Sequence, residues 1–341
     1  MKYVVAFVDD EQNILRGLKR LLRSKRDVWD MAFLEGGKAA IDWVSHNEPD
    51  AIVTDMRMPN VDGAKVLEFA ASHKKGRIRI VLSGEADRDL TRRTVGRSHQ
   101  FFSKPCDEGK LIRAIEAAFA FDDEILPRSM QKYMSNITCF AGSTQTHDVL
   151  EGVFKTGNLS ELTQVVAHDP GLAFRVLQLA NSSYFGSPAE TLSIASAVNN
   201  VGLETLADLW ETGALLAAAD TAPIDAELTN ISTEAVKTAQ RLFERSQQEG
   251  ASDADCEDGY AIGLLSWIGE VIGCTGSEML KQTLQDKGAV AAAAYVTCLS
   301  GMPLRVSQIM EHLVSVSGAG GSAQQRADEI SAVRFHREKA L

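Results

Sequence analysis

Short apolar runs alternate with segments of helical period over the first 121 residues, and this alternation limits the fold more than any other feature of the chain. Lys2 to Val8 is a β-rich run closed by Asp9-Asp10. From Gln12 the period changes. Ile14, Leu15, Leu18, Leu21 and Leu22 recur at helical spacing, with Arg16, Lys19, Arg20 and Arg23 on the other face. The same alternation then predicts strands over Met31 to Leu34, Ala51 to Asp55, Ile78 to Leu82 and His99 to Ser103. Helices are predicted over Lys38 to His46, Ala64 to about Ser72, Asp87 to Arg97 and Glu108 to Phe121. Strands separated by helix-length segments imply right-handed βαβ crossovers and a parallel sheet with helices on both faces.

The polar residues at the strand ends carry the chemistry. The third strand, Ala51-Ile52-Val53-Thr54-Asp55, is an apolar run that ends in a carboxylate, with Pro59 four residues beyond. Open α/β sheets take their ligands beyond the carboxyl ends of the strands. Strand one delivers Asp9 and Asp10 there, strand four Ser83, and strand five is followed by Lys104-Pro105. In a flavodoxin-like sheet of order 2-1-3-4-5, strands one and three are neighbours at the switch point. Three carboxylates then share one crevice with a hydroxyl and an ammonium. They repel one another unless a cation lies among them, and Mg²⁺, which takes few carboxylates and keeps waters, suits that set. Asp55 is placed to attack phosphorus and become an aspartyl phosphate. Mg²⁺ and Lys104 would neutralise the phosphoryl oxygens, and Ser83 would hydrogen-bond one of them. Arg57 and Glu85 each lie two residues past a site residue. Both are expected at the pocket mouth, where an Arg–Glu pair would shield the phosphoryl group from water.

On these residues the first 121 positions resemble a response-regulator receiver domain. The resemblance rests on the acidic pair after strand one, D-x-x-M-P from Asp55 to Pro59, Ser83-Gly84, and Ser103-Lys104-Pro105. It implies phosphotransfer to Asp55 from the phosphohistidine of a cognate sensor histidine kinase. Asp9 or Asp10, Asp55 and the backbone carbonyl of Arg57 would hold Mg²⁺. Phe101 stands where the family carries its aromatic switch residue, paired in that role with Ser83, although plain core packing reads Phe101 equally well.

Phe121-Asp122-Asp123-Glu124-Ile125-Leu126-Pro127 closes this region, and Pro127 biases Leu126 away from helix. Residues 122–142 read as a connector. From Thr146 the pattern is helical almost throughout, with stripes at Val149, Leu150, Val153 and Phe154, then Leu162, Val165 and Val166, then Leu172, Val176 and Leu179. Asp169-Pro170 reads as a cap followed by proline at the first helical position. Further helices are expected over roughly 192–200, 203–219, 226–249, 257–273, 277–298 and 303–314, with no strand. His168-Asp169 suggests a metal-hydrolase dipeptide, but such sites need several converging ligands, and no histidine lies between His168 and His312.

The stretch His168-Asp169-Pro170-Gly171-Leu172, continued by Leu179-Ala180-Asn181-Ser182 and Tyr184-Phe185-Gly186, resembles the HDOD domain, an all-α output module of the HD superfamily. The resemblance extends over about residues 137–315, with the output domain placed at 143–315 and 316–341 left as a mobile tail with a short helix. Metal-dependent relatives carry a His-Asp pair where this chain has Ser266-Trp267, and a lysine where it has Glu270. Indole is a donor only and binds no divalent cation. The resemblance therefore implies a non-catalytic, protein-binding output, with phosphorylation and dephosphorylation of Asp55 as the only chemistry. The rival reading is an HD-type phosphohydrolase acting on cyclic dinucleotides.

The net charge of -11 argues against a partner recognised by neutralising phosphates, nucleic acid above all. The five cysteines are scattered without a C-x-x-C pair, as suits reduced thiols in a cytosol. Met1-Lys2 leads straight into a strand-like run, and the apolar stretches near 213–219 and 289–296 are too short for a bilayer. A cytoplasmic protein is expected. Its partners would be the kinase and an output protein, a cyclic-di-GMP signalling enzyme among the candidates, with homodimerisation left open.

Overall fold

The computed structural model describes residues 2–73, 76, 78–84, 94–117, 119, 131, 134–135, 137, 139–182, 190–275, 287–300, 302 and 322–338. The chain divides into two compact units. Met1–Asp123 with Pro127–Thr138 and Ser182–Tyr184 forms one; Glu124–Leu126, Cys139–Asn181 and Phe185–Leu341 form the other.

The first unit is built on β1 (Tyr3–Asp9), β2 (Trp29–Glu35), β3 (Ala51–Asp55), β4 (Ile78–Ser83) and β5 (Gln100–Ser103), all parallel in the order β2-β1-β3-β4-β5. The helices are α1 (Gln12–Leu21), α2 (Gly37–His46), α3 (Gly63–Ser72) and α4 (Glu108–Ala117). This is the flavodoxin-like arrangement expected from the strand pattern. The central strands β3 and β4 are buried at every position. That is why they read as continuous apolar runs rather than alternating ones. Val8, Ala40, Met58 and Val66 form a buried cluster joining β1, α2, the segment after β3 and α3. The helix expected over Asp87 to Arg97 lies mostly outside the described residues; Thr94 is helical.

One charged residue sits inside this apolar sheet. Arg79 of β4 is fully buried. Its guanidinium donates to the carbonyls of Arg97 (2.6 Å), Gly76 (3.1 Å) and Ser135 (2.9 Å). His99 accepts the Arg79 backbone N–H at its Nδ1 (2.9 Å) and donates from Nε2 to the same Ser135 carbonyl (2.7 Å). A buried cation is tolerable only when its donors are met, and backbone carbonyls meet these.

The second unit is mainly helical: α5 (Thr144–Thr156), α6 (Leu159–His168), α7 (Pro170–Ala180), α8 (Ile194–Val201), α9 (Leu203–Glu211), α10 (Ala222–Gln248), α11 (Asp253–Leu265), α12 (Ile268–Thr275), α13 (Lys287–Leu299) and α14 (Ala323–Glu338). All eleven residues of α7 are buried, which makes it the core helix. Its cap is the one expected: Asp169 accepts the Leu172 N–H at 2.9 Å, and Pro170 takes the first helical position.

Three expectations are corrected. The helix expected over 203–219 ends at Glu211, and Gly213 turns the chain with φ of 67°. Ala217–Ala218 then pairs in parallel with Ala141–Gly142, a strand where none was expected. Two-residue strands carry no period, and tertiary pairing overrides the helical propensity of an alanine-rich run. The helix expected over 257–273 is two helices, broken at Ser266-Trp267. In the tail, residues 323–338 are helical and Arg326, Ala327 and Ile330 are buried. The segment 303–314 lies outside the described residues.

Candidate functional site

Sheet register assembles the first site. Val8 pairs with Thr54 across β1 and β3, Asp55 with Leu82 across β3 and β4, and Ser83 with Ser103 across β4 and β5. Asp9, Asp55, Ser83 and Lys104 thus leave the sheet at one carboxyl edge. Asp9 is 1% and Asp55 5% exposed. Two carboxylates so deep require a counter-charge. Lys104 supplies it: its ammonium bonds Asp9 Oδ2 at 2.9 Å and contacts Asp55 Oδ1 directly. The Lys104 backbone N–H donates to the Ser83 carbonyl at 2.9 Å, tying the loop after β5 to the end of β4.

The electrostatics follow from this packing. Burial pushes the Asp55 carboxyl above the ordinary aspartate range; the bond and charge of Lys104 pull it back, and Asp9 adds to the rise. For Lys104 burial opposes the charged form, but the hydrogen bonds to Asp55 and Asp9 outweigh it and hold the ammonium above the ordinary lysine range.

The loop after β3 is held tightly. Met56 donates to the Leu82 carbonyl (3.2 Å), and the Gly63 N–H to the Met56 carbonyl (2.9 Å). Asp62 caps α3 by accepting from the Lys65 N–H (2.9 Å). A Cβ at Gly63 would drive into the Asp55 carbonyl oxygen, so only glycine lets α3 start this close to the site. Neither Asp62 nor Gly63 was singled out from the sequence. A cap residue followed by glycine, just before a helical stripe, was the available signal.

The remaining expected site residues divide. Asp10 is half-buried next to Asp9, and Arg57 is exposed two residues past Asp55. Glu85, the expected partner of Arg57, lies outside the described residues. Ser83 is fully buried and its hydroxyl donates to the Gly84 carbonyl at 3.3 Å. Phe101 is 2% exposed, in the core beside β4. Among the described residues no group of three His, Cys, Asp or Glu side chains is gathered as a cation site. Two carboxylates with a backbone carbonyl and water nonetheless match what Mg²⁺ takes, since it binds through one or two carboxylates.

The second unit shows no comparable cluster among its described residues. His168 donates from Nδ1 to the Gln164 carbonyl (2.7 Å), and Asp169 also accepts from the Thr146 hydroxyl (3.1 Å). The dipeptide therefore does local structural work. A cavity of about 500 Å³ beside it is lined by Ser143, Thr146, Val149, His168, Thr233 and Lys237 among others. Ser266-Trp267 and Glu270 are engaged by an arginine. The Trp267 Nε1–H donates to the Thr238 hydroxyl (3.0 Å), and the guanidinium of Arg326 lies 4.1 Å from the Trp267 ring centroid. No described helix is long and apolar enough to cross a membrane.

A parallel 2-1-3-4-5 sheet with an Asp–Lys–Asp cluster at its carboxyl edge defines a receiver fold. The comparisons agree. The response regulator receiver domain family matches residues 5–116, and the HDOD domain family matches residues 155–298. The chain carries a response regulator receiver domain followed by an HDOD domain. Among similar proteins are the uncharacterized transcriptional regulatory protein YesN of Bacillus subtilis (strain 168), 25% identical over 126 residues covering 35% of this chain and 33% of that protein, and the DNA-binding transcriptional activator EvgA of Escherichia coli (strain K12), 27% identical over 135 residues covering 38% and 64%. The chain thus spans from a third to just under two thirds of these relatives. Solved structures with a similar portion include the signal receiver domain of an HD domain-containing protein from Pseudomonas fluorescens Pf-5, at 22% identity and TM-score 0.33, covering 35% of this chain and 96% of that one. An uncharacterized protein from Neptuniibacter caesariensis matches at 32% identity and TM-score 0.31, covering 33% and 84%.

Proposed function

We propose that this response regulator accepts a phosphoryl group on Asp55 from a sensor histidine kinase, and that its helical domain passes the signal on by protein–protein contact without chemistry of its own. The observation that carries the reading is the Lys104 ammonium set between the buried carboxylates of Asp9 and Asp55. Asp55 is the nucleophile: its outer oxygen attacks phosphorus, the bond to the donor breaks, and an aspartyl phosphate results. Lys104, held protonated by its two carboxylates, neutralises charge on the transferred group. Asp9, Asp10, Asp55 and the Arg57 carbonyl would hold Mg²⁺, which supplies charge neutralisation at the phosphoryl oxygens. Ser83, at the end of β4, and Phe101, within the adjacent β5, are the switch: Ser83 turns from the Gly84 carbonyl toward a phosphoryl oxygen, and Phe101 repacks.

Support for a non-catalytic output comes from Trp267, buried at the position where metal-dependent relatives carry a ligand. Incubation with acetyl phosphate and Mg²⁺ should label the wild type and leave Asp55→Asn unlabelled. Equal labelling of the two would refute the assignment.

A further inference from the structure

The break between α11 and α12 builds a receptor for a guanidinium. The Ser266 carbonyl accepts Nη1 of Arg326 at 2.6 Å, Glu270 Oε2 accepts the same nitrogen at 3.1 Å, and Glu270 Oε1 bonds Nη2 directly. The indole of Trp267 covers the guanidinium face at 4.1 Å and is itself pinned to Thr238 on α10. A forked carboxylate, a carbonyl and an aromatic plate are the full set that recognises arginine rather than lysine. Arg326 is 5% exposed within it.

Over the described side chains of 324–331 the rest of the docking is thin. Between Gln324 and Ser331, Ala327 and Ile330 are the buried apolar residues, while Gln324, Gln325 and Asp328 are exposed. A helix held mainly by apolar packing presents three or four such residues in two turns. Arg245–Asp328, at 3.3 Å between half-exposed side chains, adds little. Among the described side chains of 324–331 the arginine socket is therefore the chief anchor.

We propose that residues 322–338 are a releasable latch, and that Ser266, Trp267 and Glu270 form a binding site for an arginine-bearing helix. Arg326 fills it in cis, and a partner helix carrying an equivalent arginine takes it when the latch lifts. The partner's role rests on the reading of this domain as an interaction module. The test uses no phosphoryl donor, so its failure leaves the assignment of Asp55 untouched.

Hydrogen exchange on the full chain reads the latch directly. Arg326→Ala should raise exchange across 323–331 at least tenfold while α7 keeps its protection. Arg326→Lys, with the charge but not the fork, should fall between. A fluorescent peptide of residues 322–338 should bind the Arg326→Ala chain at least tenfold tighter than the wild type, and the peptide carrying alanine at 326 should not. Four results would overturn the proposal: 323–331 staying protected in Arg326→Ala, Arg326→Lys matching the wild type, both peptides binding alike, or protection collapsing through α7 as well. The last would make the helix an integral part of the core.

Discussion

Replacing Gly63 with alanine tests whether the loop after β3 sets the position of the phosphoacceptor. Gly63 opens α3 with its N–H on the Met56 carbonyl. An added Cβ would strike the Asp55 carbonyl oxygen and come to 3.0 Å from both the Asp55 carbonyl carbon and Met56 Cα. All three are backbone atoms of the site strand and its exit, so no flexible side chain can yield. Overpacking costs about 1–3 kcal/mol, and a backbone obstacle places this case near 3. Glycine to alanine returns about 0.7 kcal/mol through the unfolded chain. The net loss should be about 2 kcal/mol, a fall in Tm of about 8 °C for a domain of this size.

The same displacement moves Asp55 relative to Lys104 and Asp9. Misplacing a reacting group by about 1 Å can cost about 100-fold in rate, so labelling by acetyl phosphate should slow at least tenfold. Gly17→Ala is the matched control. Gly17 lies inside α1 with open space where the Cβ would go, so the change should stabilise by about 0.5–1 kcal/mol and leave labelling alone. Urea melts of the two variants, run beside the labelling assay, decide the matter. Equal stability and equal labelling rates would refute the argument from close approach.

Other outcomes follow from the buried polar groups. Burial raises the Asp55 pKa, so the folded state holds that proton more tightly than the unfolded chain. The cost of ionising Asp55 is absent below about pH 3.8 and grows as pH rises through the raised folded value. Asp55→Asn should therefore raise the urea midpoint at pH 7 with no gain at pH 3, and a uniform gain at both would contradict this. Arg79→Met removes hydrogen bonds to three carbonyls and should destabilise the first unit by about 2–4 kcal/mol. Faster hydrogen exchange near 131–137 would accompany it, and unchanged exchange there would count against the clasp. Asp169→Ala loses the α7 cap and should cost about 1–2 kcal/mol. Asp169→Asn keeps an oxygen for the Leu172 N–H and removes a carboxyl that burial raises, so its midpoint should match or exceed the wild type at pH 7.

The sheet and its strand-end residues were legible because their signals are local. β3 and β4 are buried throughout and read as largely apolar runs without alternation, and Asp9, Asp55, Ser83 and Lys104 each punctuate a strand. What was not legible depends on partners far away in the chain. Ala217–Ala218 is a strand because Ala141–Gly142 lies beside it, and nothing in an alanine-rich run announces that pairing. Arg79 did carry a signal, a charge inside Ile78-Arg79-Ile80-Val81-Leu82, but its acceptors come from Gly76, Arg97 and Ser135. The glycine-rich approach to residue 325 suggested a loose tail. Arg326 instead meets its socket some 60 residues earlier, at a helix break that periodicity had smoothed over.

The two buried cation–carboxylate clusters differ in a way that bears on their tasks. Lys104 keeps 28% of its side chain exposed, at the carboxyl edge of the sheet. Its ammonium is a point charge on a flexible stem, able to follow a carboxylate oxygen that becomes a phosphate ester. Arg326 keeps 6%, its plane fixed by an indole on one side and a forked carboxylate in line. Such a site has no open position for an ion or a reacting group, and what it can exchange is one guanidinium for another. The first cluster is thus suited to covalent change and the second to recognition. A Glu270→Gln chain separates them: the latch should loosen, with faster exchange across 323–331, while the labelling rate of Asp55 stays at the wild-type value. Loss of labelling in that variant would mean the two sites are not independent, and the division of tasks argued from their geometry would fail.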